Sequence, residues 1–224
     1  MPQLIIPLHP LTPEQRLLSI IANEIRSGKL LLYPSDTSMA LGCALRNKHA
    51  IERIRRIRRD EDTKFMTFLC PSLSNLADYA HVSNRAYRIM RRLVPGPFTF
   101  ILPATKAVPS YAHDPKRRTV GIRIPAALIP RSILEVVGEP IISISAKSAD
   151  GTELLSPDDA VEELGSYVDC AVTIQHYSWH TEPLFAGPST VLDLTDEEPH
   201  IVRRGAEIER VEQLLRAEYP SLEF

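Results

Sequence analysis

No run of eighteen apolar residues occurs anywhere in this 224-residue chain, so the sequence predicts no membrane-spanning helix. The opening segment MPQLIIPLHPLTPEQ has neither a basic n-region nor a long apolar core, and the expectation is a cytoplasmic chain without a secretory signal. Cysteine is scarce. Cys43, Cys70 and Cys170 are odd in number and widely spaced, which suits reduced core thiols better than a disulfide frame or a thiolate metal site. Neither GxxxxGK[ST] nor GxGxxG is present, so a nucleotide must be held by something other than the two familiar glycine-rich loops. His176 and His180 stand four apart in HYSWH, but no HExxH glutamate lies between them and no helical pattern supports a zinc site there. Internal repeats and low-complexity segments are absent as well.

What is present is enough apolar material for one sizeable core: 44% of the residues are hydrophobic, and one domain spanning 1–224 is the expected organisation. Helices and strands alternate along the chain. Thr12 followed by Pro13 reads as a cap and first helical residue, with Leu17, Leu18, Ile21 and Ile25 as the buried stripe of a first helix up to Gly28. Leu30 to Tyr33 is a strand ended by Pro34. A second helix starts near Lys48, with Ile51, Ile54 and Ile57 on one face. Phe65 to Cys70 reads as a strand, Leu73 to Tyr79 as a short helix and Ser83 to Val94 as a longer one. Strands are expected at Phe98 to Leu102, Thr119 to Ile124, Ile141 to Ser145, Val168 to Ile174 and Thr190 to Leu194, and Ile201 and Val202 suggest one more. Further helices are expected from Ile129 to Val137, from the Ser156-Pro157 start to Leu164, and from Ile208 to Ala217.

A net charge of -2 conceals a strong segregation. From Arg46 to Arg123 there are 17 Lys and Arg against 6 Asp and Glu; the remainder carries 9 against 22. A concentrated positive field favours anionic partners such as nucleotides or RNA. Two arginine ridges carry much of it: Arg53, Arg55, Arg56 and Arg59 away from the apolar stripe of one helix, and Arg85, Arg88 and Arg92 along the polar side of another. Both are expected to face outward and to meet phosphates of a nucleic acid without reading its sequence.

Ser35, Asp36, Thr37 and Ser38 place three hydroxyls and a carboxylate at the lip of the first strand. Such a cluster either caps a following element or holds a polar ligand. Arg123 interrupts an apolar strand, and a charge so placed needs either a ligand carboxylate or an internal acid.

Four segments together carry a resemblance: YPSDTSMALGC (33–43), PGPFTFIL (95–102), GIRIP (121–125) and SISA (143–146). With GPSTVLDLT (187–195) and VRRGA (202–206), the chain resembles the YrdC/YciO family over residues 12–206, and ERIRRIR with TFLC leans toward the YciO branch. The resemblance implies a single-domain α/β fold, a twisted mixed sheet with surrounding helices and a basic concave surface. It implies binding of threonine and of ATP with Mg, no prosthetic group, and synthesis of threonylcarbamoyl-AMP from threonine, bicarbonate and ATP for tRNA modification. By that resemblance Ser35, Thr37 and Arg123 would hold the amino acid, and Arg58, Lys64, Ser143, Ser145, Lys147 and Arg203 the nucleotide. Two positions depart from the enzyme branch: Asp60 stands where that branch has a second basic residue, and Lys147 stands where it has asparagine. These departures imply a weak or altered synthase, with a non-catalytic double-stranded RNA-binding module as the alternative.

Overall fold

The computed structural model describes residues 1–58, 66–74, 76–175 and 185–221. Arg59, Asp60, Lys64, Phe65, His176 and His180 therefore lie outside the described residues. Among the described residues ten strands form a single mixed sheet: β1 (Leu4–Leu8), β2 (Leu31–Pro34), β3 (Met39–Ala44), β4 (Thr67–Leu69), β5 (Phe98–Pro103), β6 (Thr119–Arg123), β7 (Ile141–Ser145), β8 (Cys170–Ile174), β9 (Thr190–Asp193) and β10 (His200–Arg203). Their order across the sheet is β1-β8-β2-β3-β7-β4-β6-β5-β9-β10. Six α-helices accompany them among the described residues: α1 (Gln15–Arg26), α2 (Lys48–Ile57), α3 (Asn84–Leu93), α4 (Leu128–Val137), α5 (Pro157–Leu164) and α6 (Ile208–Glu218). Among the described residues no helix is long and apolar enough to cross a membrane.

The two faces of the sheet are used differently. On one face Leu32, Leu41, Phe68, Phe98, Phe100, Ile122, Ile142 and Leu192 join Ile51 and Ile54 of α2, Ile89 and Met90 of α3, Ala160 and Leu164 of α5 and Val211 and Leu215 of α6 in one continuous core. Each large apolar side chain fully buried there contributes about 1.5–3 kcal/mol. The other face has a second core, but only under half of the sheet: Ile6, Leu8, Leu31, Tyr33, Ala40, Cys170 and Val172 pack on Leu18, Ile21 and Ile25 of α1 and Ile133 and Leu134 of α4. Beyond β3 only Ile141 of β7 and Leu69 of β4 continue this core, at one end of their strands. Residues paired in register there are Gly42 with Ser143, Ser143 with Thr67, Thr67 with Gly121, and Gly121 with Ile101. Small and hydroxyl side chains cannot bind a helix by apolar burial, and this half of the face lies open as a cleft.

Most expected elements are present, several with shifted bounds. The first helix begins at Gln15 with Glu14 as its cap residue, and Thr12 hydrogen-bonds His9 instead. Leu73 to Tyr79 is not a short α-helix: a single 3-10 turn occupies Leu76–Asp78. The strand expected from Phe65 is only the three residues of β4. β1 is an element that the sequence reading missed, because Pro7 interrupts it. The proline is tolerated since β1 lies at the sheet's edge. Asn47, Ser83 and Ser156 cap α2, α3 and α5 by accepting amide hydrogens of Ala50, Ala86 and Asp159. All three cysteines are buried free thiols, and burial pushes each of them up to about 12.

The first arginine ridge does not face out as a unit. Arg53 forms a fork with both carboxylate oxygens of Asp169 (2.6 and 3.2 Å) and also donates to the carbonyl of Tyr167. Asp169 in turn accepts the amide of Leu30 at 2.8 Å, so one carboxylate joins α2 to the start of β2 and β8. Burial acts to raise the Asp169 pKa, but Arg53 and the Leu30 amide outweigh it and hold the carboxyl below its ordinary value. Asp169→Asn is expected to destabilise the fold by about 1–3 kcal/mol near neutral pH. Because the folded pKa is depressed, that contribution is full above the unfolded carboxylate value near pH 3.9 and is lost as pH falls through the folded one. Denaturation of parent and variant at pH 7 and at about pH 3 measures this: the gap is expected to narrow at the lower pH.

Candidate functional site

The turn after β2 does not cap a helix. It closes a hairpin, with the Ser35 amide donating to the Ser38 carbonyl at 3.0 Å and β2 running antiparallel to β3. Ser35, Thr37 and Ser38 are all buried in this turn, at the rim of the cleft. Arg123, at the end of β6, reaches under it. Its Nη1 donates to Thr37 Oγ1 at 2.8 Å and its Nη2 to Asp36 Oδ1 at 2.5 Å. Asp36 is fixed further by the Ser35 hydroxyl and by the Ala126 amide on its other oxygen. The internal acid is thus the partner of Arg123 in this structure. One donor stays over: Arg123 Nε is buried with no hydrogen-bond partner among the described residues.

From this corner the cleft runs across the open half of the sheet, with a volume of about 860 Å³. From β7 to β10 there are five strand spacings, roughly 24 Å. The floor is low where β6 crosses it: a Cβ on Gly121 would come within 3.3 Å of Thr67 Oγ1. On the β7 side stand Ser143, Ser145, Lys147 and Arg58, whose Nη1 donates to the Ser145 carbonyl at 3.2 Å. Ser143 is committed within the protein, its hydroxyl 2.6 Å from that of Tyr33. Burial pushes the Tyr33 phenol well above its ordinary pKa, so it stays protonated.

On the far side is a second polar corner. Arg203 donates to the carbonyl and hydroxyl of Ser189 (2.9 and 2.8 Å), and the Ser189 hydroxyl lies 2.9 Å from that of Thr99. Arg203 arrives there through a bulge. The register shifts between Ile201 and Arg203, so Val202 is an extra residue and the next side chain is re-aimed. The connection between β5 and β6 forms a wall, held at one end by Arg55 donating to the Tyr111 carbonyl and at the other by Arg117 on Asp193 at 2.7 Å. Burial acts to raise the Asp193 pKa; Thr195 and Arg117 outweigh it and hold it low.

The described cleft lining contains Arg55, Arg58, Arg117, Arg123, Lys147 and Arg203 against Asp114 and Glu153. Cations thus outnumber acids among the described lining residues, although Arg123 and Arg117 are paired with Asp36 and Asp193. All the expected amino-acid and nucleotide residues that are described, namely Ser35, Thr37, Arg123, Arg58, Ser143, Ser145, Lys147 and Arg203, line this one cleft. Thr67, Thr99, Arg117, Glu153 and Ser189 also line it and were not singled out from the sequence, although Ser189 lay within a matching segment. Of the arginines expected to bind RNA, Arg55 lines the cleft and Arg53 is spent on Asp169. Arg56 is exposed. Arg85, Arg88 and Arg92 are exposed as expected, but Arg92 pairs with Glu218 at 2.5 Å and Arg85 donates to the Glu197 carbonyl and lies over the Tyr219 ring.

A hydroxyl-lined, cation-rich cleft on a half-covered mixed sheet defines a class. The chain belongs to the Sua5/YciO/YrdC family, whose model, described as telomere recombination, matches residues 23–205. Among its relatives, the protein YciO of Escherichia coli K12, described as uncharacterized, is 39% identical over 200 residues, covering 88% of this chain and 93% of its own. The crystal structure of E. coli YciO superposes with a TM-score of 0.83 at 38% identity, over 93% of this chain and 98% of that one. More distant is Sua5 of Pyrococcus abyssi, solved in complex with L-threonine: TM-score 0.79, 27% identity, 93% of this chain and 60% of that one. A threonylcarbamoyl-AMP synthase of P. abyssi is 28% identical over 204 residues, covering 88% of this chain and 58% of its own.

The bulge depends on a close approach. A Cβ on Gly205 would lie 2.2 Å from the Pro188 carbonyl oxygen, while the Gly205 amide donates to Thr190 Oγ1 at 3.1 Å. Gly205→Ala is expected to cost about 1–3 kcal/mol through overpacking and to move Arg203 off Ser189. Thermal denaturation reads the first effect, and a crystal structure of the variant the second.

Proposed function

We propose that the cleft binds an amino acid of the threonine type and ATP, and that the chain is a weak or altered threonylcarbamoyl-AMP synthase serving tRNA modification. The observation that carries this reading is the gathering, in one cleft, of Ser35, Thr37, Arg123, Arg58, Ser145, Lys147 and Arg203 from separate parts of the chain. The threonine complex of the P. abyssi relative supports the choice of amino acid. In the reaction, threonine carrying bicarbonate's carbon as a carbamate attacks the α-phosphorus of ATP, and pyrophosphate departs. The protein needs no covalent intermediate for this; fixed positive charges around the phosphorus and the leaving group lower the barrier. In this reading Lys147 and Arg58 meet phosphate, and a magnesium ion would enter with the triphosphate. Thr37 and Arg123 offer a hydroxyl and a guanidinium edge at the other corner. Asp36 already neutralises that guanidinium, which weakens its pull on a ligand carboxylate.

Removing Arg123 alone would strand the buried Asp36 carboxylate, so the informative variant is Arg123→Gln with Asp36→Asn. The parent is expected to gain thermal stability with threonine and with ATP, and this double variant to lose only the threonine response. Pyrophosphate release dependent on threonine and bicarbonate is expected to be slow in the parent and faster after Asp60→Arg with Lys147→Asn. Absence of any response to threonine and to ATP overturns the reading.

A second reading, binding of double-stranded RNA, is favoured by the exposure of Arg85, Arg88 and Arg92 on α3. Its affinity for unrelated duplexes is expected to fall steeply between about 50 and 200 mM salt. Replacing these three arginines by Gln is expected to lower the affinity equally for each duplex in a filter-binding assay; unchanged binding counts against the reading.

A further inference from the structure

On the β7 side of the cleft, next to Arg58, lies a short hairpin, residues 146–154, that follows β7 and folds back on itself. Leu154 donates to Ala146 at 3.0 Å and Ser148 to Thr152 at 2.9 Å, and Lys147 and Glu153 are paired across an isolated antiparallel bridge. Its tip is fastened too: the Ala149 amide donates to Glu163 of α5 at 2.7 Å, and the Thr152 amide to Asp150 at 3.0 Å. At its base the Met39 amide donates to the Leu154 carbonyl at 2.9 Å, which locks the hairpin to β3. Glu153 is therefore held on a rigid support. Its side chain lines the cleft, and its Oε2 is buried with no hydrogen-bond partner among the described residues.

A buried carboxylate oxygen without a donor is an acceptor waiting for one. The neighbours limit what that donor can be. Lys147 shares the hairpin and Arg58 reaches the Ser145 carbonyl next to it, so a ligand cation placed at Glu153 would sit among like charges. A neutral donor meets no such repulsion. An ionised carboxylate has acceptor capacity on both oxygens and donates nothing, which fits two adjacent hydroxyl groups. We propose that Glu153 is a specificity-determining residue that accepts hydrogen bonds from the vicinal hydroxyls of the nucleotide's ribose. This rests on the reading above that Arg58 and Lys147 face the phosphates, because the ribose of a nucleotide lies next to its α-phosphate. Carboxylate recognition of a ribose hydroxyl is a familiar solution in other nucleotide sites.

The test compares Kd for ATP, 2′-deoxy-ATP and 3′-deoxy-ATP by calorimetry, on the parent, Glu153→Gln and Glu153→Ala. The parent is expected to prefer ATP over either deoxy form by about 10- to 100-fold, the range for a hydrogen bond to a charged group. In Glu153→Ala the preference is expected to collapse to near unity. The ratio is the readout, since removing a negative charge from a cationic cleft raises the affinity of every triphosphate. Glu153→Gln, nearly the same shape, guards against a folding artefact and is expected to keep only part of the preference. Equal binding of the three nucleotides by the parent, or a preference that survives in Glu153→Ala, overturns this inference and leaves nucleotide binding standing. Failure of the parent to bind ATP at all overturns both.

Discussion

A strand gives every second side chain to each side of its sheet, and this alternation is the constraint on which the rest of the molecule depends. β4, β5, β6 and β7 must supply core residues such as Phe68, Phe100, Ile122 and Ile142 to one face. The same strands are free to place Thr67, Thr99, Gly121, Ser143 and Arg123 on the other. The helices of the covered face provide the stability, so the open face need not be apolar. Where α1 and α4 end their coverage, the cleft begins.

At the edges of the cleft, charge is managed in pairs. Asp36 holds Arg123 and Asp193 holds Arg117, each with its carboxylate fixed by further hydrogen bonds. Such pairs position the guanidinium planes but cancel much of their field. Arg58 and Lys147 on the β7 side and Arg203 on the far side line the same cleft and have interactions of their own.

The sheet's chemistry was legible in the sequence wherever period and punctuation agreed. α3 and α5 were bounded by Ser83 and Ser156, and β5 and β7 by their proline neighbours. β1 was not legible, because Pro7 and a short apolar run read as a breaker rather than an edge strand. The Ser35 to Ser38 cluster could equally have opened a helix; only the pairing of β2 with β3 makes it a hairpin. Arg123 announced its need for a partner, yet nothing local pointed to Asp36, 87 positions away. Arg117 and Glu153 meet the cleft only because a wall and a hairpin fold over it. Arg53 was legible as a surface charge and not as a tie, since its partner Asp169 lies 116 positions downstream. The described residues named from the family pattern do line the cleft, whereas Thr99 and Ser189, although they stand in matching segments, were not singled out.

The bulge that re-aims Arg203 also shapes the outer border of the sheet. β10 is the last strand, and an outermost strand with a regular ladder is a template on which another molecule's strand can align. The extra residue at Val202 breaks that ladder halfway along a strand of four residues. At the opposite border Pro7 removes one amide from β1. The bulge that aims Arg203 at one border and the proline at the other thus each interrupt the regular ladder on which edge-to-edge pairing depends.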